Sequence, residues 1–259
     1  MAKKDFDPFD PPNRKPRRPN KSSKISRNPD FEKQTSRTVL INNLAADLNR
    51  ILEGHGEHYK VSNFYQRTQA KMRKEPLNNP FLLYRRLRGM DIHPRYPLTA
   101  LGDTQITARI LKKKRLEVNV MANAFANMAM RHDTNCYSYK LVLICWQYNV
   151  KKPVHFSQES EWLHYTAKDM VIDFFFDLPK DTRFFMLCLA HCQGKDNIHD
   201  PLMRCNAMRI MQVDTLDEED AALAKERDEA DIYEEMEKPK PDTRVRVKAR
   251  KIEPGSDSF

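Results

Sequence analysis

Residues 139–148 read YKLVLICWQY and residues 183–192 read RFFMLCLAHC. Successive side chains of an extended chain point to opposite faces, and here both faces are apolar, so each stretch fits a central strand covered on both sides. A one-sided strand looks different. MVIDFFFDL at 170–178 sets Met170, Ile172, Phe174, Phe176 and Leu178 on one face and Asp173 and Asp177 on the other, with Phe175 breaking the polar side. AMRIMQV at 207–213 reads as a last strand. Upstream, Ile106, Ala108 and Ile110 alternate with Thr107 and Arg109, KKKR makes a turn at 112–115, and Leu116, Val118 and Val120 alternate with Glu117 and Asn119. That pattern predicts a β-hairpin. No helical pattern separates these strands, so the sequence predicts an antiparallel sandwich rather than a parallel α/β sheet.

Ahead of the hairpin the spacing is helical. Leu40, Ile41, Leu44, Leu48, Ile51 and Leu52 follow Thr38 at helical intervals until Gly54 and Gly56 end the run. A second helix is predicted over about 60–74, with Val61, Phe64, Tyr65, Thr68 and Met72 on one face. The third has marked ends: Asn79 suits the N-cap, Pro80 the first helical position and Gly89 the left-handed residue that follows. Its core face is Leu83, Leu87 and Met90. Near the other end, Thr215 and Glu218 match a capping box that opens an acidic helix stopping before Pro239. The predicted fold class is α+β, with short N-terminal helices packed on an antiparallel β-sandwich. Five regions follow: a disordered, basic, Pro-rich arm (1–36), a helical region (37–92), the sandwich (93–213), the acidic helix (214–237) and a basic tail (238–259).

Composition removes several functional classes. Of 259 residues, 40% are hydrophobic and only 6 are Gly, which suffices for a core but leaves little material for Gly-rich phosphate loops. The longest apolar runs fall well short of the roughly 18–20 residues a bilayer-spanning helix needs. MAKKDFDPFDPP has no apolar segment behind its positive charge, so no secretory signal is expected. The expected compartment is the cytoplasm. Cys136, Cys145, Cys188, Cys192 and Cys205 are odd in number and sit largely in apolar runs, which predicts buried free thiols.

Candidate chemistry is thin. A zinc site drawn from Cys188, His191, Cys192, His199 and Cys205 lacks paired CxxC knuckles. A nucleophilic pair of Cys192 with His164 or His155 has no orienting third group. Glu159 with Glu161, and Asp173 with Asp177, share faces as an acid/base couple would, but solvated strand faces look the same. No catalytic residue, metal ligand or cofactor is therefore assigned, and the chain reads as non-enzymatic.

Charge carries more information. Lys and Arg exceed Asp and Glu by 9 overall, yet residues 214–237 hold twelve acids against two bases, and 238–251 hold seven bases against one acid. Candidate nucleic-acid contacts are Arg67, Lys71, Arg73, Lys74, Arg85, Arg86, Arg88, Lys112, Lys113, Lys114 and Arg115, with Arg14, Lys15, Arg17 and Arg18 of the arm. Such a set would neutralise phosphates without reading sequence. Equally, basic and acidic blocks can pair between copies, which makes a homo-oligomer or larger protein assembly the leading partner. The order of two helices, FLLYRRLRGMDIHPRYPL, YKLVLICWQYN, a strand ending in FDLP, and RFFMLCLAHCQG resembles uncharacterised β-sandwich proteins of Bacteroidota genomes, some near mobile or prophage-like elements. The resemblance spans about residues 60–213 and implies a structural or interaction role rather than an activity.

Overall fold

The computed structural model describes residues 29–55, 63–111, 114–123, 134–148, 150, 152–164 and 169–237. It is an α+β fold with antiparallel sheets. The helices are α1 (Pro29–His55), α2 (Phe64–Met72), α3 (Pro80–Arg85) and α4 (Glu218–Glu237). The strands are β1 (Asp103–Ile110), β2 (Arg115–Asn123), β3 (Cys136–Gln147), β4 (Val154–Glu159), β5 (Leu163–His164), β6 (Met170–Asp177), β7 (Thr182–Lys195), β8 (Ile198–His199) and β9 (Asn206–Thr215). One sheet has the order β1-β2-β6. In the other, β3 and β7 lie side by side, flanked by β4 and β5 beyond β3 and by β8 and β9 beyond β7.

The two stretches quoted first become β3 and β7, paired with Leu141 opposite Leu189 and Leu143 opposite Leu187. Alternate residues go opposite ways. Val142, Ile144, Met186, Cys188 and Ala190 join a buried cluster with α1, α2 and α3. Leu141, Leu143, Phe185, Leu187 and Leu189 join a second cluster with Val118 and Val120 of β2 and Phe174 and Phe176 of β6. The hairpin pairs Ile110 with Leu116, Ala108 with Val118 and Ile106 with Val120, and Lys114 (φ 57) supplies its left-handed turn residue.

The free side of β9 is covered by the segment that follows α3. Gly89 N–H donates to the Ile210 carbonyl (2.8 Å), Ile210 N–H to Met90 (3.0 Å) and Ile92 N–H to Met208 (2.7 Å). Gly89 makes this turn at φ 75, where a side chain would be strained. Gln158 on β4 closes part of the β6 edge: its amide donates to the Phe175 carbonyl (2.6 Å) and accepts from the Phe175 N–H (3.3 Å). Both devices occupy strand edges that would otherwise present unpaired backbone groups.

Three expectations change. The first helix starts at Pro29, well before Thr38, so it takes in the last part of the segment read as a disordered arm. Proline suits a first helical position. Apolar periodicity registered only the packed portion, because Gln34, Ser36 and Thr38 are exposed. Residues 1–28 lie outside the described residues. The acidic helix opens at Glu218 with Asp217 as its cap, Asp217 Oδ1 accepting from Asp220 N–H (2.8 Å). Thr215 instead donates to the Arg183 carbonyl (2.9 Å) and accepts from Asp217 N–H (3.0 Å). Finally β4, VHFSQE, escaped the sequence reading because it is almost wholly exposed, so its burial leaves no apolar alternation to read.

Gly194 on β7 tests how tightly this sheet is filled. A Cβ there would meet the Ile198 carbonyl oxygen and lie 2.8 Å from the Trp162 ring. Gly194→Ala is expected to destabilise the protein by about 1–3 kcal/mol, measured as a lower urea midpoint with unchanged slope.

Candidate charged interface

Helix α3 is short but strongly specified. Asn79 Oδ1 accepts from the N–H groups of Phe81 (2.8 Å) and Leu82 (3.3 Å), and Pro80 occupies the first helical position. Phe81, Leu82, Leu83 and Tyr84 are all buried, and Tyr84 donates to the Leu44 carbonyl (3.0 Å) while its ring lies 4.3 Å from that of Trp146. With so much of the helix inside, its last residues, Arg85 and Arg86, carry the polar contacts.

Those two arginines meet the acidic helix. Arg85 holds Asp228 through both guanidinium nitrogens at 2.7 Å. Arg86 holds Asp231 at 2.5 and 3.1 Å and reaches Glu75 with Nε at 2.8 Å. Glu75 is buried, and its second oxygen lies 3.4 Å from Arg227 Nε. Arg183 grips the buried Asp220 at 2.7 and 2.8 Å, and Asn79 donates its amide to the same carboxylate at 2.7 Å. The hydrogen bond from Arg85 holds the Asp228 carboxyl below the usual carboxylate range, and that from Arg86 does the same for Asp231. A cavity of about 220 Å³ between α3 and α4 is walled by Glu75, Arg86, Arg88, Arg227 and Asp231.

The nominated basic residues are therefore divided. Arg85, Arg86 and Arg88 come together beside α4. Arg67 is turned inward, donating to the carbonyls of Asp91 (2.9 Å) and Ile92 (3.0 Å). Lys71 is half-buried, which lowers its pKa, with Arg67 and Lys74 adding to the effect. Arg73 and Lys74 are exposed at the end of α2. Lys114 is exposed in the hairpin turn and Arg115 stacks over Phe175 at 4.6 Å. These two belong to the three-stranded sheet, whereas α3 packs in the helical cluster, so the two groups do not form one patch. Lys112, Lys113, Arg14, Lys15, Arg17 and Arg18 lie outside the described residues. Asp220, Arg183, Glu75 and Arg227 escaped the sequence reading. The signal was the spacing Asp220, Ala224, Arg227, Asp231, which lines one face of a helix.

The other candidate groupings are pulled apart by the strands that carry them. All five cysteines are buried and none is in a disulfide, and burial pushes Cys145 up to about 12 and raises Cys188 as well. Cys188 and Cys192 belong to the helical cluster, while His191 packs against Tyr137 and Tyr139 with ring centroids 5.4 and 4.9 Å away. His199 bonds Asn206 (2.8 Å) and the Cys205 thiol donates to Asp200 (3.3 Å). His155 meets His55 at 2.8 Å. Glu159 pairs with Lys140 (2.9 Å), and Asp173 accepts from Asn119 (2.6 Å). Among the described residues no group of three or more His, Cys, Asp or Glu is placed to hold a metal, and no helix is long and apolar enough to cross a membrane.

The chain matches no protein-family model, no curated protein and no solved structure. Its function must be argued from these charges.

Asp220 and His191 give contrasting tests. Asp220→Ala removes the partner of the Arg183 guanidinium and the Asn79 amide, and because Arg183 is 31% exposed the cost is that of lost hydrogen bonds to a charged group, about 1.5–3 kcal/mol, so a fall in thermal midpoint of several degrees is expected. His191 is wholly buried, neither ring nitrogen has a hydrogen-bond partner, and burial lowers its pKa to about 3. In the unfolded chain a histidine titrates near 6.5, so the unfolded state takes up the proton first as pH falls. Stability is expected to drop from pH 6.5 downward until the folded state also titrates, by on the order of 3 kcal/mol between pH 7 and 4. His191→Phe should remove that part of the slope in denaturant titrations at several pH values.

Proposed function

We propose that the protein is a non-enzymatic interaction protein that assembles with itself or with a larger complex through its charged surfaces. In this reading the two sheets form a sandwich that serves as a rigid support, and the helical layer on its far side presents the charges. One observation carries it. After the inner face of α4 has met Arg85, Arg86 and Arg183, the outer face still exposes Glu218, Glu219, Glu226 and Glu229. The sequence supplies complementary blocks at 1–36 and 238–251, each dominated by Lys and Arg. An ordered acidic face and basic segments on one chain form a self-complementary pair, which favours association between copies. The placement of Cys145 and Cys188 supports a role without covalent chemistry for them, since a buried thiol with a raised pKa is a poor nucleophile. The resemblance to Bacteroidota β-sandwich proteins adds a phage-like or mobile-element setting, with the cytoplasm or the virion as compartment.

A second reading, a non-specific DNA- or RNA-binding accessory protein, is favoured by the exposure of Arg73, Lys74 and Arg88, the last lining the same pocket as Arg85 and Arg86. The assembly reading is checked by light scattering against concentration at low salt. The apparent mass is expected to rise for the wild type and to stay at the monomer value when Glu218, Glu219, Glu226 and Glu229 are all changed to Gln. A wild type that remains a monomer throughout would count decisively against it.

A further inference from the structure

The contact between α3 and α4 has two unlike halves. At the start of α4, Asp220 is 1% exposed and bound by Arg183 and Asn79, and Ala224 packs in the helical cluster. Ala224 is the last buried residue of α4 among those described. Beyond it the hold on α3 is electrostatic. Asp228 and Asp231, 54% and 37% exposed, reach Arg85 and Arg86. The arginine side of each pair is mostly buried, 24% and 28% exposed, but the carboxylates are open to water, where salt screens them and a competing anion can reach the same guanidinium groups.

What those carboxylates occupy is suited to another anion. Arginine binds carboxylate and phosphate with the same two-pronged geometry, and here Arg85 and Arg86 are presented side by side with exposed Arg88. Arg73 and Lys74 sit at the adjoining turn. Asp228 and Asp231 are three residues apart on a helix, so their carboxylates stand as neighbours about 5–6 Å apart at Cβ, like successive charges on a phosphate chain. The total charge says the same. The chain carries +9, and 214–237 contributes −10, so the remainder carries +19.

We propose that α4 is a built-in polyanion covering the arginine face of α3, and that the phosphate backbone of a nucleic acid displaces its outer half. Asp228 and Asp231 give up Arg85 and Arg86 to phosphates, while Asp220 keeps the first turns of α4 anchored. A phosphate backbone fits better than an acidic protein because the pocket lining is charged apart from Leu82, which leaves little for an apolar side chain to seat in. This deepens the second reading and does not depend on assembly.

The test is fluorescence anisotropy of a labelled 20-base-pair duplex with the full chain at about 50 mM salt, where phosphate contacts are strongest. Asp228→Asn with Asp231→Asn is expected to tighten binding at least tenfold and to steepen the salt dependence by roughly two phosphate contacts. Glu226→Gln with Glu229→Gln makes the same charge change on the exposed face of α4 and should give a much smaller gain. Adding Arg85→Gln and Arg86→Gln to the first variant should abolish its gain. Equal gains from the two acidic-site variants would overturn the proposal, as would a gain that survives loss of the arginines. Hydrogen exchange on the wild type needs no variant to fold: duplex should speed exchange in 225–237 while 218–224 stays protected, and uniform protection overturns the idea. A wild type that ignores the duplex even at low salt removes the second reading altogether. One that binds it without loosening α4 removes this inference alone. An Asn variant that self-associates but gains nothing on DNA overturns the inference and leaves the assembly reading in place.

Discussion

Two neighbouring strands with no side for water govern this protein. With β3 and β7 paired, Leu141, Leu143, Leu187 and Leu189 face one way and Val142, Ile144, Met186 and Cys188 the other, all fully buried. At roughly 1.5–3 kcal/mol for each large apolar side chain taken out of water, neither face can be left open. The hairpin and β6 supply one cover and the first three helices the other. Outside these layers lies the outer half of α4, which beyond Ala224 meets the rest of the protein through ion pairs.

The cost of that arrangement falls on α3. Because Phe81, Leu82, Leu83 and Tyr84 are all consumed by the core, little of the helix is left to face water and its arginines gather at one end. Glu75 is then buried beneath them, and a buried carboxylate is tolerated only with partners. Arg86 donates to one of its oxygens, the Leu77 N–H (3.3 Å) to the other, and Arg37 of α1 reaches the backbone carbonyls of Glu75 and Pro76. The acidic helix completes a network already required by the turn between α2 and α3. That is why an acidic segment lies across a basic one within a single chain.

The sequence made the strands legible wherever burial followed a period of two. The two-sided runs at 139–148 and 183–192, the one-sided run at 170–178 and the hairpin register all reflect which faces meet other layers. The third helix was readable from its start, since Asn79 and Pro80 have conformational preferences that act locally, but it ends at Arg85, and Gly89 takes its left-handed conformation four residues further on. β4 was invisible because an almost wholly exposed strand shows no apolar alternation. The inner face of α4 was invisible for a different reason. Acids at a docked face and acids in water look alike, and the distinction lies in arginines far away in the sequence, such as Arg85 against Asp228. The same long-range pairing divided the nominated basic residues into inward-turned, paired and exposed groups.

Asn79 joins two ends that the chain places far apart. Its oxygen caps α3 and its nitrogen holds Asp220, whose own N–H is capped by Asp217 at the start of α4. One amide thus sits at the beginning of both helices. Nucleating a helix is the costly step in forming it, and here the two nuclei share a group, so the start of α4 cannot be well formed while α3 is unfolded. On synthesis α4 is made long after α3 and therefore reports on the state of that earlier element: it docks in register only on a chain whose first helical layer is already in place.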